Sequence, residues 1–347
     1  MRIPLSLAAL ALIGPLMTSP APARAQSAGH ARMEVPASAT GQPAIPVALY
    51  YPTSAPAQPI AMGPFTVTVA YGAPPEPKVK GLILLSHGTG GTELGHSTLA
   101  EALARHGYLV AALRHPGDNW QDRSLLHANA SRYFVERPQQ AARVIDGLLR
   151  DPAWAARIAT DERGPRVGAL GHSAGGYTVL ALAGGRPDSA RIPAHCRANR
   201  DADPVFCGVA RTAQAGSGAQ DAAAPVAIPV LSDPRVRAVV AMASVGAVFT
   251  PDSLAGIKVP VALYEAERDR YNVPRFHNQW IAAHVPGAAV TRVENAGHFA
   301  FMDTPSTPIP TEDGDVGANP PGFDRAALLR RLAVEIPAFF DRAWMPH

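Results

Sequence analysis

Gly171-His172-Ser173-Ala174-Gly175-Gly176 follows directly on the short apolar run Val167-Gly168-Ala169-Leu170. A strand that stops abruptly and reverses into a helix holds its turn residue in a strained backbone conformation, which presents that side chain at the carboxyl edge of a sheet. The spacing puts Ser173 at such a turn, as a candidate nucleophile. Residues two before and two after the turn come so close that a Cβ would clash, which accounts for Gly171 and Gly175. The apolar segment Tyr177 to Ala183 predicts a buried helix, and Gly184-Gly185 supplies its stop.

A serine hydroxyl needs a base to accept its proton, and the base needs an acid to fix its tautomer. In this arrangement both come later in the chain, acid first and histidine second. His298, in Asn295-Ala296-Gly297-His298-Phe299, follows the last expected strand in a turn-forming context and is the candidate base. His277 and His284 fall on an expected helix, His106 near a helix end and His195 in an insertion over 186–234. His172 and His87 read as packed neighbours that orient their loops. Asp269 is the preferred acid, a few residues beyond the strand Val259 to Tyr264, with Glu265 and Glu267 as close rivals. An oxyanion formed at an attacked carbonyl requires backbone N–H donors. Ala174 is one candidate, and Thr89 in His87-Gly88-Thr89-Gly90-Gly91 is the other. That glycine-rich loop lacks the lysine of a phosphate loop. Glu312-Asp313-Gly314-Asp315 lacks the remaining ligands of a calcium loop, and no motif for catalytic zinc is present, so neither cofactor nor metal is expected.

The elements expected to position these groups begin with Ile45 to Tyr51 and Phe65 to Tyr71, read as an antiparallel hairpin. Strand and helix then alternate: Gly81 to Ser86, Ser97 to His106, Tyr108 to Leu113, a helix over Arg137 to Leu149, and the strand bearing Ser173. Val236 to Ala243, Val259 to Tyr264 and Ala289 to Val293 continue the strands, and Arg325 to Arg342 forms a closing helix. Such a rhythm requires right-handed crossovers and an open, doubly wound, mostly parallel α/β sheet. One interval breaks it: about 50 residues, Arg186 to Pro234, separate two elements usually joined by about two to six. This insertion contains both cysteines of the chain, Cys196 and Cys207, and reads as a disulfide-clipped excursion, either a lid over the strand edge or a surface loop.

Arg2, the apolar stretch Ile3 to Met17 and the small residues of Ala23-Arg24-Ala25 read as a secretory signal peptide, residues 1–25, too short in its apolar part to serve as a membrane anchor. A secreted or periplasmic location follows, and it agrees with paired cysteines. Residues 26–44, rich in Ala, Pro, Ser and Gly, read as a loosely held arm, leaving 45–347 as one large domain. The chain carries 31 Lys and Arg against 28 Asp and Glu, and removing Arg2 and Arg24 lowers the net charge from +3 to +1. With no basic run, nucleic acid and anionic membrane surfaces are not expected partners.

Taken together, Leu85-Ser86-His87-Gly88-Thr89-Gly90-Gly91, the Ser173 hexapeptide and Ala296-Gly297-His298-Phe299 resemble the α/β-hydrolase superfamily, and more closely its secreted dienelactone-hydrolase-like branch, which is similar also to platelet-activating-factor acetylhydrolases. The resemblance covers about residue 45 to the end. It departs from dienelactone hydrolases in having Ser173 where they have cysteine, and from the commoner glycine-containing acid segment in reading Glu265-Ala266-Glu267-Arg268-Asp269. It implies hydrolysis of small carboxylic esters through Ser173, His298 and Asp269. A cutinase-like attack on polyesters and a non-catalytic binding protein on the same fold are the alternatives.

Overall fold

The computed structural model describes residues 27–345 except 129, 217–228 and 230. The expected signal peptide and part of the insertion therefore lie outside the described residues.

Ten strands form one sheet: β1 (Ser27–Val35), β2 (Ile45–Thr53), β3 (Gln58–Met62), β4 (Phe65–Tyr71), β5 (Leu82–Ser86), β6 (Leu109–Leu113), β7 (Val167–His172), β8 (Val236–Met242), β9 (Val261–Ala266) and β10 (Ala289–Val293). Their spatial order is β10-β9-β8-β7-β5-β6-β2-β1-β4-β3. From β6 to β10 every neighbouring pair is parallel, whereas β2 runs antiparallel to β6. Register sets Ser86 beside Gly171 and Gly171 beside Ala241, so the carboxyl ends of β5, β7 and β8 lie side by side.

Strands buried on both faces read as unbroken apolar runs, and β5 and β8 are buried at every residue. Side chains alternate between faces. Leu82 and Leu84 join one core with Ala141, Val144, Ile145 and Leu148 of α2 (Ala130–Arg150) and Val179 of α3 (Ala174–Leu182). Ile83 and Leu85 join the other, with Leu99 and Leu103 of α1 (Ser97–Arg105) and with Leu332 and Phe340 of the closing helix Arg325–Ala343. Three layers result, helices on both faces of a sheet. Helix α2 starts seven residues before the expected Arg137 and contains Pro138. Proline has no N–H to give the carbonyl of Phe134, four residues back, and that oxygen instead accepts the Tyr177 hydroxyl at 2.6 Å.

Three expectations are corrected. The segment read as a loose arm supplies β1, paired antiparallel to β2 along nine residues and parallel to β4 at Gly29 and His30. Its Ala-Gly-His start has little intrinsic strand preference, and pairing on both sides holds it. The expected hairpin partners do not pair with each other: β2 lies between β1 and β6, and β4 forms its hairpin with β3. The insertion, read as an excursion with little periodicity, carries two helices among its described residues, α4 (Arg191–Asn199) and α5 (Pro204–Gly216), joined by the Cys196–Cys207 disulfide with Cα atoms 5.4 Å apart.

Candidate active site

Strand β7 ends at His172, and Ser173 turns the chain into α3 with φ 57° and ψ −120°, a left-handed φ that costs a non-glycine residue about 1–3 kcal/mol. The surroundings enforce it. A Cβ at Gly171 would stand 2.1 Å from the Gly175 carbonyl oxygen, and one at Gly175 would stand 1.9 Å from that of Ser86. The Ser173 N–H donates to Met242 at the end of β8, at 2.9 Å. All nine residues of α3 are buried, and its amino terminus points its partial positive charge at this turn.

Ser173 Oγ lies 3.0 Å from His298 Nε2, and His298 Nδ1 lies 2.8 Å from Asp269 Oδ2. His298 opens a short 3₁₀ turn after β10, Asp269 follows β9, and both are buried. The other oxygen of Asp269 accepts the backbone N–H groups of Tyr271 and Asn272, each at 2.8 Å. The structure thus brings together the serine, histidine and preferred acid named from sequence. It separates the rivals: Glu265 accepts from Gln279 at 3.1 Å inside β9, and Glu267 pairs with Arg292 at 2.8 Å and accepts the Asn295 N–H at 2.7 Å. The Tyr271 ring stacks on His298, centroids 4.7 Å apart and planes inclined by 21°. His172 donates from Nε2 to the His298 carbonyl at 2.9 Å, and burial holds it well below the usual histidine range, so it stays neutral.

Thr89 and Ala174 both line the cavity above Ser173, and neither backbone N–H has a protein acceptor among the described residues. A Cβ at Gly88 would stand 3.0 Å from the Cβ of Ser173, so this loop lies against the serine. Beneath the loop is a network that sequence reading missed. Asp118 accepts the Gly90 N–H at 2.8 Å and the Tyr133 hydroxyl at 2.7 Å, and it pairs with Arg137. Arg137 also donates to the His87 carbonyl, and both members of the ion pair are fully buried. Thr89 donates its hydroxyl to Tyr133 at 2.8 Å. His87 lies alongside, with burial first among the causes that lower its pKa to about 4; it donates from Nδ1 to Gly88 at 2.7 Å and accepts the His115 N–H at 3.2 Å. The signal available in sequence was Arg137 itself, four residues before Ala141 on the apolar stripe of α2, where a buried charge requires a partner.

The cavity measures about 1580 Å³, larger than the roughly 300–1000 Å³ of an ordinary small-molecule site. It extends from Met62 and Phe65 at the β3–β4 hairpin, past Ser173, to Ile192, Phe206 and the disulfide, so the insertion forms one wall. Asp203, in the turn between α4 and α5, accepts from Nε2 of His195 at 2.8 Å and from Nε2 of His277 at 2.9 Å, and His277 Nδ1 accepts the Gly246 N–H at 3.0 Å. His106 and His284 bond backbone carbonyls of their own helices. Among the described residues the one cluster with metal-ligand chemistry is His195, Asp203 and Cys207, and its sulfur is committed to the disulfide. The acidic stretch 312–315 closes a small hairpin in which Asp313 pairs with Arg270 at 3.1 Å. No helix of the described residues is long and apolar enough to cross a membrane.

No protein-family model matches the chain, and no curated protein does. Solved structures do match, 806 chains in all. One of them, a ferulic acid esterase from Streptomyces cinnamoneus, aligns with a TM-score of 0.59 and 22% sequence identity over 94% of this chain and 92% of that one. That likeness, with the strand order and the turn at Ser173, assigns the chain the α/β-hydrolase fold.

Proposed function

We propose that the protein is a serine hydrolase of small carboxylic esters, in the manner of the dienelactone-hydrolase-like branch its motifs resemble. The observation that carries the reading is the hydrogen-bonded row Ser173 Oγ, His298 Nε2, Asp269 Oδ2, with steps of 3.0 and 2.8 Å on the cavity floor. Ser173 Oγ attacks the ester carbonyl carbon while His298 Nε2 takes its proton, and Asp269 steadies the resulting imidazolium. The amides of Thr89 and Ala174 hold the oxyanion, aided by the amino terminus of α3. Collapse breaks the bond to the alcohol oxygen, which leaves with the proton from His298. Water then repeats the sequence on the acyl-serine, restoring Ser173 and releasing the acid. The insertion wall favours a substrate enclosed as a single molecule over a polymer strand. Residues 1–25 would export the protein, consistent with the disulfide.

The test is turnover of 4-nitrophenyl esters by Ser173→Ala. Loss of at least about 10⁴-fold in kcat in a protein that melts like the parent is the expected result; retained turnover would remove the assignment. The name of the structural neighbour adds support for ester chemistry at the coarse level.

A further inference from the structure

Hydrogen bonds hold the His298 imidazole at each of its nitrogens: Nδ1 lies 2.8 Å from Asp269 Oδ2, and Nε2 lies 3.0 Å from Ser173 Oγ. Both act close to the line that joins the two nitrogens. Rotation of the ring about that line changes neither length by much, so a contact on the face of the ring is needed to oppose it. The need grows during the reaction. Once Oγ is bonded to the acyl carbon, the serine no longer anchors Nε2, and the imidazolium that must deliver its proton to the leaving alcohol keeps the bond to Asp269 alone of the two.

Tyr271 supplies a contact of that kind. Its ring stacks on His298 with centroids 4.7 Å apart and planes inclined by 21°. Its backbone N–H donates to Asp269 Oδ1 at 2.8 Å, so one residue touches both the base and the acid. Its hydroxyl accepts the Asp313 N–H at 3.2 Å and donates to Glu312 Oε2 at 3.4 Å, at the turn of the small hairpin 310–315. Phe299 meets the ring edge-on, centroids 5.0 Å apart. The side chain is half-buried, lines the cavity and belongs to neither apolar core of the sheet. A cation within about 6 Å of an aromatic face is attracted to it. His298 carries its charge only between taking the proton from Ser173 and giving it up, so the attraction is felt in the transition state and not in the resting site, and interactions of that sort raise kcat.

We propose that Tyr271 is a positioning residue for this reaction: its ring fixes the plane of the His298 imidazole and attracts the charge that arrives there, and its hydroxyl ties that ring to the hairpin 310–315. The inference rests on the hydrolase reading of the same site.

The experiment separates the ring from the hydroxyl. Tyr271→Leu removes the ring and keeps the backbone N–H that Asp269 accepts, whereas Tyr271→Phe keeps the ring and removes the hydroxyl. With 4-nitrophenyl acetate, kcat should fall about tenfold in Tyr271→Leu and only about threefold in Tyr271→Phe, with KM within about twofold of the parent in both. Tyr271→Met gives the same readout should Tyr271→Leu not fold. The rate constant for fluorophosphonate labelling of Ser173 should follow kcat across the series. An unchanged kcat in Tyr271→Leu, an equal loss in the leucine and phenylalanine variants, or a loss carried by KM would overturn the inference and leave the hydrolase reading intact. A parent that turns over no ester would instead contradict the hydrolase reading. The labelling rates decide the inference in that case: equal rates in the parent and Tyr271→Leu, or no labelling of Ser173 in the parent, would overturn it as well.

Discussion

The floor and the insertion wall of the cavity are secured by opposite means. Under the Thr89 loop, Arg137 and Asp118 form a dry ion pair tied to Gly90, His87 and Tyr133 from three separate stretches of chain. The insertion is clipped by a disulfide spanning 11 residues and meets the body through separate hydrogen bonds, among them the buried Asp203 accepting from His277, Arg191 donating to the Ala247 carbonyl and the Asp188 N–H donating to Val248. Long-range contacts exist only when the sheet does, so the floor and the fold should fail together. A local cross-link held to the body by a few separate hydrogen bonds can loosen alone.

Arg137→Met is the most severe way to break that contrast. It leaves Asp118 charged and unpaired in the core, a loss of about 3–5 kcal/mol, and calorimetry should show Tm falling by about 10 °C with activity lost alongside. A variant that melts like the parent would show that the floor does not depend on the pair. Next comes Asp203→Ala, which leaves the Nε2–H of His277 unpaired in a buried position at a cost of about 1–3 kcal/mol. Limited proteolysis should then cut within 186–234 while the core transition moves little. Reduction of Cys196–Cys207 should act in the same direction with a ceiling of about 3 kcal/mol from loop entropy, and should flatten the dependence of kcat/KM on acyl length. Unchanged selectivity would make the insertion a bystander.

Acidity separates the two regions further. Burial pushes Asp203 up, but the bonds from His195 and His277 outweigh it and leave its carboxyl below the usual value of 3.8. Its contribution is therefore present above the unfolded pKa and is lost as pH falls through the lower folded one, so this contact should survive to about pH 4 and release below it. Glu101, a buried residue of α1 outside both regions, has the opposite sign. Burial raises it to about 7, so the folded state binds the extra proton and stability declines as pH rises from near 4.5 toward 7. Glu101→Gln should raise Tm by about 2 °C at pH 8 and leave it unchanged at pH 4. This is the smallest effect, and a reversed sign would show that Glu101 is held charged.

The sheet was legible where burial on both faces demands unbroken apolar runs, as in β5, β8 and the strand before Ser173. The site was legible where backbone geometry demands a residue type: Gly171 and Gly175 are required by the approach of neighbouring carbonyls, and they frame Ser173. Asp269 could be preferred over Glu265 because a strand-end residue stays within its sheet. What stayed hidden depends on partners distant in sequence. The strand Ser27–Val35 exists through pairing on both sides, and Asp118 is called for by Arg137, 19 positions later. The insertion helices were masked by composition, since α4 buries none of its residues and shows no apolar stripe.

A fluorophosphonate probe followed by peptide mapping tests the central claim most directly, because the reagent reports an activated serine and needs no knowledge of the substrate. One adduct per chain, on Ser173, abolished in Ser173→Ala and strongly slowed in His298→Ala, is the predicted result. An unlabelled folded protein, or an adduct on another residue that persists in Ser173→Ala, would contradict it.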